Sequence, residues 1–194
     1  MTSEQSKQAT GHTQLHNRNA NNRSFDPADL ERVRKGFIAK RENGLITDEK
    51  GRFVVNSDNY EFLRDGRDCP ETVNPQLWRH ATLNAHHGLF KVADGVWQVR
   101  GYDISNITFI RGTSGWVIID PLTSEHTARA ALELMDEHVE KLPVTVVIFT
   151  HSHADHFGGI LGVTTKKDVD AGLCQIVAPI GFLHETVGEN VIAG

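Results

Sequence analysis

The feature that most constrains this chain is the junction between the apolar run Val144-Thr145-Val146-Val147-Ile148-Phe149 and the polar cluster His151-Ser152-His153-Ala154-Asp155-His156. A run rich in β-branched residues, stopped by Pro143 on one side and by this cluster on the other, reads as a fully buried strand. The cluster then lies in the loop at the strand's carboxyl end, and Gly158-Gly159 follows it. Four potential metal ligands fall within six residues. Imidazole and carboxylate donors suit zinc, which keeps an open position for water and lowers that water's pKa to about 7. His151 and His153 can turn nitrogen ligands onto one cation while Asp155 and His156 face a second, the spacing of a two-metal hydrolytic site. The competing reading is a polar loop whose histidines are merely exposed; four such side chains at this spacing directly after a buried strand favour metal.

Thr150-His151-Ser152-His153-Ala154-Asp155-His156-Phe157-Gly158-Gly159 resembles the signature of the metallo-β-lactamase superfamily. The resemblance implies an αββα sandwich, two zinc ions and a metal-bound hydroxide as the nucleophile. Asp120 stands where the superfamily places an acid that buttresses the metal loop from behind its ligands. From its sequence alone Asp120 reads equally as a strand-end turn before Pro121. The signature is shared by hydrolases of several substrates, so the flanks carry the choice. The segments from Val73-Asn74-Pro75 to Leu89 and from Ala178 to Gly194 resemble alkylsulfatases, and this likeness runs from about Phe25 to the last residue.

That likeness implies hydrolysis of linear primary alkyl sulfates such as dodecyl sulfate to an alcohol and sulfate. It also implies further ligands, glutamates and another histidine, from segments beyond those matched here, and a homodimer formed through a region absent from this sequence. The chain is then expected to be an amino-terminal fragment or a truncated gene product, inactive alone. Two other readings stay open: a different hydrolase of the same superfamily, of thioesterase or lactonase type, and a non-catalytic metal-binding fragment.

Composition narrows the alternatives. The net charge is −5 over 194 residues, and bases are dispersed among acids, as between Glu31 and Arg41, so neither nucleic acid nor an anionic membrane is an expected partner. Residues 1–24 are polar and lack an apolar core, which predicts a disordered tail without signal peptide or membrane anchor and hence a cytoplasmic protein. Cys69 and Cys174 have no partner at metal-type spacing, which suits a reduced compartment.

The remaining segments predict an α/β (α+β) chain: residues 89–194 as the first half of the sandwich, and 25–88 as a mostly helical N-terminal arm. Asp26 and Pro27 open a helix carrying Leu30, Val33, Phe37 and Ile38, ending near Lys40 to Gly44. Leu45 to Val55 forms a hairpin, and Pro75 to Leu89 resumes helical spacing before His86-His87-Gly88, whose imidazoles suit a helix C-terminus. An antiparallel meander follows over Leu89–Val92, Val96–Arg100, Ile104–Ile110 and Trp116–Ile119, and Ser124 caps an amphipathic helix that stops at Pro143. Lys166 to Gly172 reads as a loop, Cys174 to Ala178 as a strand and Ile180 to Val187 as a short helix bearing His184, a competing third ligand.

Overall fold

The computed structural model describes residues 7–20, 25–63 and 66–193. The chain divides into two compact units, Met1–Arg34 with Tyr60–His86, and Lys35–Asn59 with His87–Gly194. The hairpin region assigned from sequence to the arm thus belongs to the second unit.

The first unit holds three helices: α1 (Gly11–Ala20), α2 (Asp29–Arg34) and α3 (Pro75–Asn84). The structure corrects the expectation of a wholly disordered tail over residues 1–24, whose residues 1–6 and 21–24 lie outside the described ones. α1 buries no residue, so polar contacts hold it. The Thr10 hydroxyl accepts the Thr13 amide at 3.2 Å, while Gln14 and Asn17 donate to the Glu71 carboxylate and carbonyl at 2.9 and 2.7 Å. α3 starts as predicted: the Asn74 side chain accepts the amides of Gln76 and Leu77, and Pro75 occupies the first turn, where its missing N–H costs nothing. His86 follows this helix half-buried, and burial with the nearby Arg34 guanidinium holds its pKa below the ordinary imidazole value.

α2 is far shorter than its apolar spacing suggests. The backbone turns at Gly36, with φ +78°, and Phe37–Ala39 becomes strand β1. Leu30, Val33, Phe37 and Ile38 fit a helical stripe, but Phe37 and Ala39 pair antiparallel with Phe90 and Leu89, and Lys91 donates its amide to the Gly36 carbonyl at 2.7 Å. The pairing decides the segment.

In the second unit, β2 (Leu45–Thr47) and β3 (Phe53–Asn56) form the expected hairpin, closed by Asp48, whose side chain accepts the amides of Lys50 and Arg52. The main sheet continues with β4 (Gly88–Ala93), β5 (Val96–Arg100), β6 (Ile107–Arg111), β7 (Trp116–Ile119), β8 (Val144–Ile148) and β9 (Gln175–Val177), in the order β1-β4-β5-β6-β7-β8-β9. The pairs up to β6–β7 are antiparallel; β7–β8 and β8–β9 are parallel. The crossover from β7 to β8 runs through α4 (Glu125–His138), capped by Ser124, whose hydroxyl accepts the Thr127 amide.

Alternate residues of the meander build the core: Trp97 and Val99, Ile107 and Phe109, Trp116 and Ile118 are buried, and the Trp97 and Phe109 rings meet Trp116 edge-on at 5.5 and 6.2 Å. They join one cluster with Ala128, Ala131, Leu134 and Met135 of α4. Each fully buried aromatic or aliphatic side chain contributes about 1.5–3 kcal/mol relative to exposure.

Four further expectations are corrected. β6 starts at Ile107, because Ile104 projects into solvent from a loop. β8 is not fully buried; only Val147 is closed off and its neighbours are half-exposed. Lys166–Asp170 is a short helix, α5, because the Thr165 hydroxyl caps the Asp168 amide. The last helix, α6 (Phe182–Ala193), outruns its predicted end and leaves Leu183, Val187, Val191 and Ile192 exposed. Cys69 and Cys174 are free, and burial pushes the Cys69 thiol pKa up. No helix among the described residues is long and apolar enough to cross a membrane.

Candidate metal centre

The loop after β8 is organised by Asp120, which leaves β7 with a backbone φ of 55° and is 7% exposed. Its Oδ1 accepts the Thr150 amide at 2.8 Å, and its Oδ2 accepts the Thr150 hydroxyl at 2.7 Å. Nδ1 of His156 lies 2.8 Å from the same Oδ2. One carboxylate therefore fixes one imidazole directly and Thr150 beside it. A carboxylate only accepts, so the His156 Nδ1–H faces Asp120 and Nε2 points away from this buttress, toward Asp155. The Thr150 hydroxyl spends its hydrogen on Asp120, so the His151 Nδ1 at 2.9 Å donates to it, and His151 likewise presents Nε2.

The four residues singled out in the loop meet in pairs. His151 Nε2 lies 3.1 Å from His153 Nδ1, and His156 Nε2 lies 3.2 Å from Asp155 Oδ2. The His151 and His156 rings are 4.0 Å apart between centroids. Two residues that the sequence did not flag join them. Glu189 of α6 sets its Oε1 3.1 Å from His153 Nε2. Ser105, in the loop before β6, donates its hydroxyl to the Asp155 carbonyl. His184 sits exposed on α6, and no hydrogen bond or ion pair joins it to the loop among the described residues.

Next to Ser105, Asp103 accepts from the Thr123 amide and hydroxyl at 3.1 and 2.7 Å and from the Thr127 hydroxyl at 2.6 Å, tying this loop to the start of α4. Leu122 is wholly buried with φ 64°, a conformation that costs a branched side chain about 1–3 kcal/mol and persists where its surroundings over-determine it. Its carbonyl accepts the Gly159 amide at 2.8 Å. The glycines after the histidine loop are needed for this approach: a Cβ on Gly159 would overlap the Pro121 carbonyl oxygen and stand 2.6 Å from that of Ser124.

Elsewhere in the second unit, Glu49, Glu125 and His126 bring ligand atoms within 4.8 Å of one another, a grouping that the sequence did not suggest. Arg129 reaches Glu49 at 3.4 Å and Glu125 at 3.8 Å, so a guanidinium already supplies the cation there. We assign this cluster to an ion-pair network.

A family model of the metallo-beta-lactamase superfamily matches residues 100–192. Over 169 residues, 87% of this chain, the sequence is 47% identical to a linear primary-alkylsulfatase of Pseudomonas sp and 45% identical to the alkyl/aryl-sulfatase BDS1 of Saccharomyces cerevisiae. The chain spans only 25% and 26% of those two proteins. A solved structure, that of the stereoselective inverting sec-alkylsulfatase Pisa1 from Pseudomonas sp., superposes with a TM-score of 0.90 at 43% identity, covering 98% of this chain and 30% of that one. Loop and mixed sheet thus agree with the likeness along the sequence: residues 100–192 match the metallo-beta-lactamase superfamily, and most of the chain is similar to alkylsulfatases.

Proposed function

We propose that this chain carries part of the dinuclear zinc centre of an enzyme that hydrolyses linear primary alkyl sulfates to an alcohol and sulfate. The observation that supports it best is the wiring of Asp120, which engages His156 through Nδ1 and His151 through Thr150 and its Nδ1, so that both rings turn Nε2 away from their buttress. In this reading His151 and His153 serve one ion, and Asp155 and His156 the other. The donor set fits zinc, being imidazole nitrogen and carboxylate oxygen, with each of these two imidazoles oriented through its other nitrogen. Zinc bound there supplies Lewis acidity and a water whose pKa falls to about 7. Asp120 holds the loop, and Ser105 pins the Asp155 backbone. Glu189 is a polar neighbour of His153 that orients it or competes for it.

A metal measurement tests the site. After equilibration with zinc and dialysis, the chain is expected to retain metal, and His153→Ala and His156→Ala to retain less. Equal zinc content in all three would remove the loop from consideration. The 194 residues alone are expected to release no sulfate from dodecyl sulfate, since two ligands per ion leave most of each coordination sphere to water. Losing even one preorganised donor in such a site costs about 10²–10³ in rate. Zinc-dependent release by this chain, abolished by His151→Ala, would overturn that expectation.

A protein extended to the relatives' length is expected to turn over dodecyl sulfate in preference to a β-lactam or a glutathione thioester. The inverting action named for the Pseudomonas sec-alkylsulfatase supports attack at carbon, because inversion at the carbinol centre requires that its C–O bond break. Hydrolysis in heavy-oxygen water should then label the alcohol, and label in the sulfate would refute carbon attack. The same likeness favours a second reading, secondary alkyl sulfates as substrates, which a comparison of 1-decyl with 2-decyl sulfate would decide.

A further inference from the structure

We propose that the cavity of the first unit is a binding site for an amphipathic anion: a short alkyl or aryl body bearing one sulfonate, sulfate or carboxylate head. The cavity measures about 470 Å³, opens to solvent and, among the described residues, is lined by that unit alone, between α1, α3 and the segments around Phe25 and Pro70. That volume lies within the range of about 300–1,000 Å³ typical of small-molecule sites. Its walls are apolar where Phe25, Leu30, Val73 and Trp78 face it.

Its charge is one-sided. Among the described residues three guanidinium groups, Arg18, Arg67 and Arg79, line it against one carboxylate, Glu71. That carboxylate is already engaged, accepting from Gln14 at 2.9 Å and facing Arg18 at 3.6 Å. Arg79 spends its Nη2 on the Asp26 carbonyl and on Asp29, while its Nε is buried with no hydrogen-bond partner among the described residues. A buried donor left without an acceptor is destabilising, and an oxygen entering beside it would offset that cost. Arg67 is exposed and has no ion pair among the described residues. A guanidinium fork matches planar or tetrahedral oxyanions, so the head is assigned to the arginine side and the body to the aromatic side. The proposal does not rest on the metal-loop reading.

Calorimetric titration of the chain with 1-octanesulfonate, in the presence of a chelator so that no metal can capture the head, tests it. Saturable binding at one site is expected, with a change in tryptophan emission that Trp78→Phe removes, the other two tryptophans being buried in the core. Arg67→Glu should weaken binding at least about tenfold and Arg67→Lys much less, since the charge pairing is inverted in one and kept in the other. Circular dichroism should be unchanged in both, because Arg67 is a surface residue. Absence of saturable binding, equal affinity in Arg67→Glu, or equal affinity for octyl glucoside would each overturn the proposal. The last would show an apolar cavity that does not recognise the anion.

Discussion

Asp120→Ala is expected to lower the stability of the chain by about 3 kcal/mol and its zinc affinity by about 10- to 100-fold. The carboxylate is 7% exposed and serves the Thr150 amide, the Thr150 hydroxyl and His156 Nδ1 at 2.7–2.8 Å. Its removal strands two donors of Thr150 in a partly closed site and frees both imidazoles to rotate and change tautomer. Alanine also suffers from the backbone φ of 55°, which asparagine and aspartate tolerate better. Asp120→Asn should therefore fall between wild type and alanine in urea unfolding, while losing most of the zinc affinity, because an amide can present its oxygen to only one side. Thr150→Val, which keeps the amide bond to Asp120 and deletes the hydroxyl bridge, should reduce zinc affinity with a smaller loss of stability. An Asp120→Ala protein that binds zinc like wild type would show that the loop does not depend on this buttress.

Gly159→Ala is expected to cost about 2–4 kcal/mol. The added methyl would meet the Pro121 and Ser124 carbonyl oxygens and stand 3.0 Å from the Ala128 Cβ, all fixed by the cap of α4, so relief requires moving the loop that follows the ligands. Zinc binding should weaken with stability in this variant, since Gly159 also donates its amide to the buried Leu122 carbonyl. Gly188→Ala is the control. It lies within α6 with nothing inside 4 Å of the added Cβ, so helix propensity alone should stabilise it by about 0.5–1 kcal/mol. Thermal or urea unfolding of the two variants reads the contrast; equal stability would mean that the loop yields freely against α4.

The sequence by itself determined what short-range chemistry determines. Ser124 and Asn74 cap the helices that follow them, Asp48 turns the hairpin, and the apolar run before Thr150 ends where the ligands begin. In each case the side chain that decides the geometry lies within a few residues of the backbone it serves, so the pattern can be read locally. The family signature was legible for the same reason, its histidines and aspartate being packed into one loop.

Tertiary structure decided the rest. Phe37–Ala39 satisfies a helical stripe in sequence and becomes a strand because Phe90 and Leu89, some fifty residues away, offer backbone partners. Ser105 falls inside the expected strand Ile104–Ile110 and Asp103 just before it, yet they hold the backbone of Asp155 and the cap of α4. Glu189 reaches His153 from a helix that begins beyond β9, and no local period announces that approach. The tail's polar composition did not reveal α1, whose support comes from Glu71 rather than from an apolar face. The parallel pairing of β7 with β8 sets the Asp120 carboxylate beside Thr150 and His156, an approach that its own neighbourhood in the sequence did not reveal. Contacts between residues distant in sequence carry no signature in either partner's neighbourhood, and it is these that orient the imidazoles of a histidine-rich loop.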